Sequence, residues 1–490
     1  MLFHSAVFLF GFLPITLLAY FAVGRVSLRG AFAVLALASL VFYAWWNYFF
    51  VVLVLGSVAF NYAGALAIST RVHRKLLRSA RVVTGALIAT DLLVLSYFKY
   101  LVFFSGEANA WFGTNWDVGR IILPIGISFY TFTQIAYLVD TLQGKVRERS
   151  LLSYLLFVTY FPHLVAGPVL HHAEMMPQFG LRENLVPQSE NLARGLTFLA
   201  FGLFKKVVLA DGCAPIANAT FAQVGIPAAE AWLGVVAYSL QIYFDFSGYS
   251  DMAVGTSLLF NIKLPINFYS PYRARNIIDF WRCWHMTLSR FLRDYLYIPL
   301  GGNRKGNVRR YVNLMATMVL GGLWHGANWT FLVWGALHGA FLTVNHLWRA
   351  KFGSQDAMPR YGLVSNVYWA LTLLAIIVAW VFFRAASIHD AMSMLASMAG
   401  ISPVAKIVGV LTIENVAFVL ALSALALFAP NSNELMQYHF GMRRDVPRLP
   451  SRMMWRPVPR YAYAIGVLLI CTAVIGVSGR QRLEFLYFQF

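Results

Sequence analysis

Residues 30–70 have the sequence GAFAVLALASLVFYAWWNYFFVVLVLGSVAFNYAGALAIST, in which no Lys, Arg, Asp or Glu occurs. As one helix this run would measure about 60 Å, roughly twice the thickness of the hydrocarbon core of a bilayer. The aromatic residues at 45–48 lie near its middle, where a turn at the membrane interface would place them. The run therefore predicts two consecutive membrane-spanning helices.

The rest of the chain has the same character. Of its 490 residues, 59% are hydrophobic and 12% are charged, whereas soluble domains are about 45–50% apolar and about 25% charged. We predict an all-α polytopic membrane protein, a single domain over residues 1–490, with roughly eleven membrane helices. Residues 171–190 and 263–310 are expected to be ordered loops or partly inserted helices. Further apolar segments lie at residues 6–24, 82–104, 121–139, 152–168, 192–212, 231–260, 311–348, 361–383, 408–430 and 461–479.

The formal net charge is +19, but Lys and Arg occur in short loops between the apolar runs. This distribution indicates membrane topology and contact with anionic lipid, and it argues against a nucleic-acid partner. The basic loops at 71–81 and 145–149 are expected in the cytoplasm, and the acidic loop at 105–119 outside. No basic region precedes residues 6–24, so we expect a retained span and not a cleaved signal peptide.

The motif GGLWHGANW, residues 321–329, lies within the apolar segment 311–348. An ionisable residue in a membrane segment is costly to keep, which makes His325 a functional candidate. Histidine can accept and return a proton near neutral pH, and the glycines allow a bend or the close approach of a substrate. We predict His325 as a catalytic base, with Trp324 and Asn328 as substrate contacts. The alternative is a packing histidine at an interfacial turn.

Other reactive side chains are expected to be structural. His338 and His346 follow on the same segment, and in a continuous helix His338 would lie roughly opposite His325. The three cysteines have no metal-ligand spacing and suit small apolar packing positions. They are Cys213, Cys283 and Cys471.

A second candidate site is the stretch 280–293, where aromatic and apolar residues recur at helical spacing. This pattern predicts one amphipathic helix, with Arg282, His285, Ser289 and Arg293 in a polar stripe. The residues alone leave two interpretations open. The helix is either interfacial with snorkelling arginines, or it lines a site in which His285 is catalytic and the other three residues contact substrate.

Basic residues are dense between residues 273 and 310. The cluster can hold the phosphates of a nucleotide-bearing acyl donor, or it can be a cytoplasmic loop that sets topology. The glycines at 301–306 lack the spacing of a phosphate-binding P-loop, so ATP hydrolysis has no support. The basic residues are Arg273, Arg275, Arg282, Arg290, Arg293, Arg304, Lys305, Arg309 and Arg310.

Two carboxylates, Asp245 and Asp251, lie in the otherwise apolar segment 231–260. Six residues apart, they would face different sides of a helix, although a break at Gly248 would bring them to one cavity. We predict them at the substrate site, where they pair with arginines, orient a histidine or lock helices together. No set of His, Cys, Asp and Glu has metal-ligand spacing, so no metal is expected.

Residues 485–490, FLYFQF, are aromatic to the last position. Chain ends are usually polar and loose, so this segment is expected to dock. It is either an interfacial anchor or a tail that enters an active-site tunnel. In the second case Tyr487, its only hydroxyl, would be a catalytic residue that accepts an acyl group in transit.

Several long motifs occur together, and in their order the chain resembles the membrane-bound O-acyltransferase family. The similarity extends over roughly residues 5–490 and is closest to the bacterial branch typified by the alginate O-acetylation membrane protein. The motifs are His163–Pro168, Tyr243–Asp251, Trp284–Gly302 and Gly321–Gly326.

The resemblance implies a helical shell around a tunnel that crosses the membrane, with the catalytic histidine at His325 and the second motif histidine at His285. It implies that acetyl-CoA, a donor and not a bound cofactor, supplies an acetyl group from the cytoplasm. The group would leave on the periplasmic side of a bacterial inner membrane. There a partner of the SGNH type would deliver it to an exopolysaccharide such as alginate.

Other functions remain open from sequence. The same fold would suit D-alanyl transfer to teichoic acid or O-acetylation of peptidoglycan. A transporter of anionic substrates would explain the spans and charges, but it predicts internal repeats, which the sequence lacks. A membrane scaffold that recruits a soluble transferase is the last alternative.

Overall fold

The computed structural model describes residues 1–165, 167–353, 362–442, 450, 454–478 and 485–486. Across these residues the chain is helical and contains no strand, as expected where backbone groups must bond within their own segment. Helices α1 to α20 are, in order, Leu13–Gly24, Leu28–Ala44, Phe49–His73, Leu77–Phe112, Ile127–Leu142, Leu151–Thr159, Phe161–Leu164, His172–Met175, Ser189–Phe204, Asp211–Phe221, Ala228–Leu259, Ile277–Trp281, Met286–Leu292, Gly306–His325, Trp329–Phe352, Leu363–Arg384, Ile388–Met398, Ile413–Phe428, Ser432–Met436 and Pro459–Ser478. Short π-helical segments are Val7–Phe12, Lys205–Ala210 and Arg293–Tyr297, and 3₁₀ segments are Met176–Gly180, Arg182–Leu185 and Pro271–Arg273.

Five helical stretches in the described part of the chain are long and apolar enough to cross a membrane, and α2 and α18 are shorter apolar helices. The protein is therefore a multi-pass membrane protein. The expected number of roughly eleven membrane helices stays a prediction. The five stretches are Val7–Gly24, Phe49–His73, Leu77–Phe112, Leu363–Arg384 and Pro459–Gly476.

The uncharged run 30–70 forms two helices, as predicted. Helix α2 ends at Ala44 and α3 begins at Phe49, and the side chains of Trp45, Trp46 and Tyr48 in the turn between them are exposed. Exposed aromatic rings at a helix end suit the boundary between lipid and water.

The predicted boundaries of the following elements need correction. Helix α4 continues through the first half of the expected loop at 105–119 and ends at Phe112, and the following Gly113 has φ 66°. A glycine in this left-handed conformation commonly terminates a helix because it has no Cβ. Helix α5 begins at Ile127, later than predicted, and almost all of its residues are buried.

The described chain divides into two compact units. The described candidate site residues, apart from Asp251, belong to the second unit. The first unit comprises residues 1–203, 249–266 and 436–482, and the second comprises residues 204–248, 267–435 and 483–490.

Within the first unit, polar side chains of the apolar helices bond to one another. The amide of Asn61 on α3 donates to the Asp91 carboxylate on α4 at 2.9 Å, and Gln134 on α5 donates to Ser57 at 2.8 Å. Such pairing is how polar groups are accommodated inside a membrane.

Within the second unit, α14 and α15 form a tight antiparallel hairpin. A Cβ on Gly322 would overlap the carbonyl of Phe331, and a Cβ on Gly335 would overlap the carbonyl of Met318. Small residues let two helix backbones approach closely, which is a common way to pack helices in membranes.

Candidate functional site

The predicted catalytic motif is the corner of the α14–α15 hairpin. Helix α14 ends at His325, Gly326 is extended, and α15 begins at Trp329. A Cβ on Gly326 would overlap the Phe331 ring, so the corner needs glycine at this position. Segment 311–348 is therefore interrupted at this corner, as its glycines allow, and His325 lies at the interruption.

The His325 imidazole is only 4% exposed and is surrounded by aromatic rings. Ring centroids of Trp324, Trp334 and Phe383 lie 4.9, 5.1 and 5.2 Å from its own. All three rings meet the imidazole at steep angles, between 70° and 88°. Edge-to-face packing of this kind fixes the orientation of a ring, which a proton-transferring group requires.

His338 lies close to this cluster, contrary to the prediction from a continuous helix. Because the chain turns at Gly326, α15 runs back along α14, and the Trp334 ring contacts both imidazoles. Its centroid is 4.7 Å from that of His338. The indole nitrogen of Trp281 donates to Nδ1 of His338 at 3.3 Å. This bond and the full burial of His338 fit its predicted structural role.

His285 does not lie within a helix, so the predicted single amphipathic helix at 280–293 is wrong. Helix α12 ends at Trp281, α13 begins at Met286, and His285 has φ 41° and ψ 53°. A residue other than glycine pays a conformational cost in this left-handed region, and such residues cluster at functional sites. The break between α12 and α13 is not predictable from the sequence, because the aromatic residues on both sides of it keep helical spacing.

Asn267 holds the His285 segment in place. Its Oδ1 accepts hydrogen bonds from the backbone N–H of Thr287 at 3.2 Å and from the Thr287 hydroxyl at 2.9 Å, and lies 3.1 Å from Nδ1 of His285. Because this oxygen only accepts, Nδ1 carries the imidazole proton and Nε2 is the basic nitrogen. Asn267 therefore selects the tautomer of His285.

Burial also fixes the charge of His285, which lies outside the candidate spans. Desolvation lowers the pKa of His285 to about 3. The imidazole is therefore neutral at physiological pH and can accept a proton or a hydrogen bond at Nε2.

One indole connects the two predicted catalytic histidines. The Trp324 ring centroid lies 4.9 Å from that of His325 and 6.2 Å from that of His285. Two imidazoles beside one rigid aromatic ring can serve one substrate, with one taking a proton and the other orienting the reacting group.

Asp245 and the last described residues meet beside His285. Asp245 binds the ammonium group of Lys206 at 2.8 Å, and its other oxygen accepts a hydrogen bond from the backbone N–H of Leu486 at 3.0 Å. The Phe485 ring packs 5.6 Å from the Phe246 ring, which in turn lies 4.7 Å from the His285 ring. The expected docking of this segment is confirmed for residues 485–486, while Tyr487 lies outside the described residues.

The other predicted site residues have these positions. Asn328 caps α15, since its side chain accepts from Thr330 N–H and donates to the carbonyl of Ala386. Ser289 donates to the carbonyl of Trp284 at 3.3 Å. Arg293 forms two hydrogen bonds with Asp294, at 2.7 and 3.0 Å.

The helix that carries both carboxylates is not broken at Gly248. Helix α11 runs without interruption from Ala228 to Leu259. Asp245 and Asp251 therefore keep the different faces that their six-residue spacing gives them. Asp251 is buried and belongs to the first unit.

Sequence reasoning missed two residues of the site, Asn267 and Lys206. Lys206 is buried and bridges Asp245 and Asp211, at 2.8 and 2.7 Å. A lysine inside the apolar segment 192–212 was the signal that could have revealed it. Asn267 has no such signal, because its partners are 18 and 20 residues away in sequence.

Comparison with known proteins identifies the family of the chain. The model of the membrane-bound O-acyltransferase family matches residues 45–388. Peptidoglycan O-acetyltransferase of Helicobacter pylori is 43% identical, over 82% of this chain and 81% of its own length. Probable alginate O-acetylase of Pseudomonas putida is 37% identical over the whole of both chains. A more distant relative, teichoic acid D-alanyltransferase of Streptococcus thermophilus, is 30% identical over 46% of this chain and 58% of its own.

Proposed function

The chain belongs to the membrane-bound O-acyltransferase family, and we propose that it moves acetyl groups across the membrane for O-acetylation of an exported polysaccharide, with His325 as general base. Membership makes it a membrane-bound acyltransferase, which leaves the transporter and scaffold alternatives without support. The observation that carries the proposal is the position of His325. It is buried at a hairpin corner and fixed by three aromatic rings, one of which also contacts His285.

The proposed reaction is transfer of an acyl group from a thioester to a hydroxyl. Nε2 or Nδ1 of His325 takes the proton as the hydroxyl oxygen attacks the thioester carbonyl. The new C–O bond forms, the C–S bond breaks, and the proton passes to the leaving thiolate. General base catalysis of this kind contributes typically about 10²–10⁴-fold. His285, with Nε2 as its basic nitrogen, orients the donor or the acceptor.

The donor in this proposal is acetyl-CoA, which enters from the cytoplasm. The acetyl group leaves on the periplasmic side of the inner membrane, where an SGNH-type partner passes it to the polymer. Support for the cytoplasmic side comes from the basic loops at 71–81 and 145–149, which positive-inside topology places there. The first of these segments contains the turn that joins α3 to α4, and the second follows α5.

The relatives favour acetyl over D-alanyl as the acyl group. Peptidoglycan O-acetyltransferase and probable alginate O-acetylase are each similar to this chain over most of their own length. The D-alanyltransferase is similar over about half of this chain. Alginate is the first candidate polymer, because that relative is similar over its entire length. Peptidoglycan is the second, because that relative has the higher identity.

The decisive experiment supplies purified protein with radiolabelled acetyl-CoA, the SGNH-type partner and a polysaccharide acceptor. Wild type is expected to release CoA and label the acceptor, and His325→Ala should lose at least a hundredfold of this rate. The matched control is His389→Ala, since the His389 side chain is 86% exposed. Near-normal transfer by a folded His325→Ala protein would refute the role of His325.

A further inference from the structure

An open groove of about 770 Å³ lies between α9 and α20 within the first unit. Its walls are mainly apolar and include the side chains of Leu196 and Leu469. Gly466 also lines the groove, and a Cβ on it would meet nothing within 4 Å. In the span Pro459–Gly476, 11% of the residues are buried, compared with 39% in Leu363–Arg384. Protein contacts therefore leave space along α20 for a ligand.

The groove has one polar end, at the point where both α9 and α20 begin. Trp455, Arg456 and Tyr461 line it there. Indole and phenol rings prefer the level of the lipid headgroups, and an arginine can place its charged group at the same level while its stem packs on apolar surface. The groove is therefore divided into a polar and an apolar part, as a phospholipid is.

The charges at this polar end favour an anion. Glu190, which lines the groove, is already bonded to Arg194 at 2.9 Å, and the Arg194 guanidinium lies over the Trp455 ring, 5.6 Å from its centroid. In the described part of the chain, Arg456 and Arg460 have no carboxylate partner. Both lie at the start of α20, where the helix dipole is positive and the first turn contains no acidic residue. An anion bound there offsets the repulsion between these groups.

The polar end of the groove lies on the side of the first unit that holds the turn between α1 and α2. The Tyr20 hydroxyl of α1 donates to the carbonyl of Asn184 at 3.4 Å, and α9 begins five residues after Asn184. Arg25 in that turn and Arg29 at the start of α2 are basic, so positive-inside topology expects this side in the cytoplasm. The cytoplasmic leaflet is the one whose anionic lipids bind in basic pockets between membrane helices.

We propose that the groove between α9 and α20 binds one anionic phospholipid, with an acyl chain beside Gly466 and the phosphate at Arg456. A guanidinium group donates paired hydrogen bonds to phosphate oxygens, and it keeps its charge at any physiological pH. The acyl chain gives the open walls of both helices the van der Waals contacts that protein side chains do not supply. This inference is independent of the proposed function, because it assigns a lipid ligand and no step of acyl transfer.

Native mass spectrometry of the full chain tests the groove. The protein is released from nanodiscs that contain phosphatidylglycerol and phosphatidylethanolamine in equal amounts, and wild type is expected to retain mainly phosphatidylglycerol. Gly466→Leu places a side chain in the open space and should lower the retained fraction about tenfold. Gly85→Leu on α4 is the matched control, because a Cβ there also meets nothing within 4 Å. Leu196→Trp fills the groove from α9 and repeats the test if Gly466→Leu does not fold.

Replacement of Arg456 tests the headgroup. Arg456→Gln should remove the preference for phosphatidylglycerol over phosphatidylethanolamine, because glutamine has no charge. Arg456→Lys should keep part of the preference, since lysine keeps the charge but not the paired donors. Arg78→Gln is the matched control, because Arg78 is an exposed arginine in the first turn of another apolar helix, α4. Its preference should equal that of wild type.

Three results would overturn the proposal. The first is equal retention of phosphatidylglycerol by Gly466→Leu and Gly85→Leu, which would place the lipid elsewhere. The second is equal retention of both lipids by wild type, which would remove the anionic headgroup. The third is a dimer that retains no lipid and dissociates in Gly466→Leu, because a second copy of the chain would then occupy the groove.

Discussion

The Asp245 carboxylate accepts a hydrogen bond from the backbone N–H of Leu486 at 3.0 Å, across 241 residues of sequence. The same carboxylate is bound to Lys206, which also binds Asp211. The Asp245 carboxylate is buried, so an additional N–H donor stabilises it. The segment at 485–486 thereby gains a fixed position beside Phe246 and His285.

Replacement of Asp245 by Ala should release this segment. Loss of a buried hydrogen bond costs about 1–3 kcal/mol, so the Leu486 amide should exchange with solvent at least roughly tenfold faster. Hydrogen–deuterium exchange of the last peptide measures this. Asp294→Ala is the control, because it removes a carboxylate that is bound to Arg293. Unchanged exchange in Asp245→Ala would show that other contacts hold the segment.

Asn267 is expected to matter for catalysis through His285. Asn267→Ala removes the acceptor that places the proton on Nδ1 of His285, so both tautomers become accessible. We expect kcat to fall about tenfold or more, with a smaller change in KM. Asn267→Asp keeps an acceptor at the same place and should recover part of the rate. Thr287→Val, which removes one donor to Asn267 and leaves the histidine contact, is the control. Wild-type kcat in a folded Asn267→Ala protein would contradict this role.

The sequence was sufficient for the features that depend on local composition. Apolar helices such as α2 and α3 follow from uncharged runs, because the lipid core excludes unpaired charges. The same reasoning makes His325 a candidate, since a histidine between glycines inside an apolar segment is exceptional, and its role stays a prediction.

Features that depend on distant contacts were not predictable from the sequence. The break before His285 is hidden because its neighbours keep helical spacing, and the Asn267 side chain that stabilises the break is 18 residues away. The proximity of His338 to His325 depends on the turn at Gly326. The pairing of Lys206 with Asp245 joins segments 39 residues apart, and no local pattern reports it.

Gly326 should not tolerate even a methyl group. A Cβ there would overlap the Phe331 ring, which packs against Phe383, a neighbour of His325. We expect Gly326→Ala to lower the melting temperature by several degrees, since overpacking costs typically about 1–3 kcal/mol, and to lower kcat. Gly326→Ala with Phe331→Leu should recover stability in part. Gly56→Ala on α3, where a Cβ meets nothing within 4 Å, is the control. Equal melting temperatures for Gly326→Ala and Gly56→Ala would show that the corner has room.

His285 should make the fold sensitive to acid. Burial lowers its pKa from 6.5 to about 3, so between these values the unfolded chain binds a proton that the folded protein does not. Acidification through this window therefore lowers the free energy of unfolding, by up to about 1.4 kcal/mol per pH unit. Above pH 6.5, His285 does not contribute to the pH dependence of the free energy of unfolding. In His285→Gln, the apparent melting temperature should fall less steeply between pH 6.5 and 4.5 than in wild type, at one scan rate. His389→Gln, with an exposed side chain, should keep the wild-type slope. Identical slopes for wild type and His285→Gln would mean that His285 is protonated as readily in the folded protein as in water.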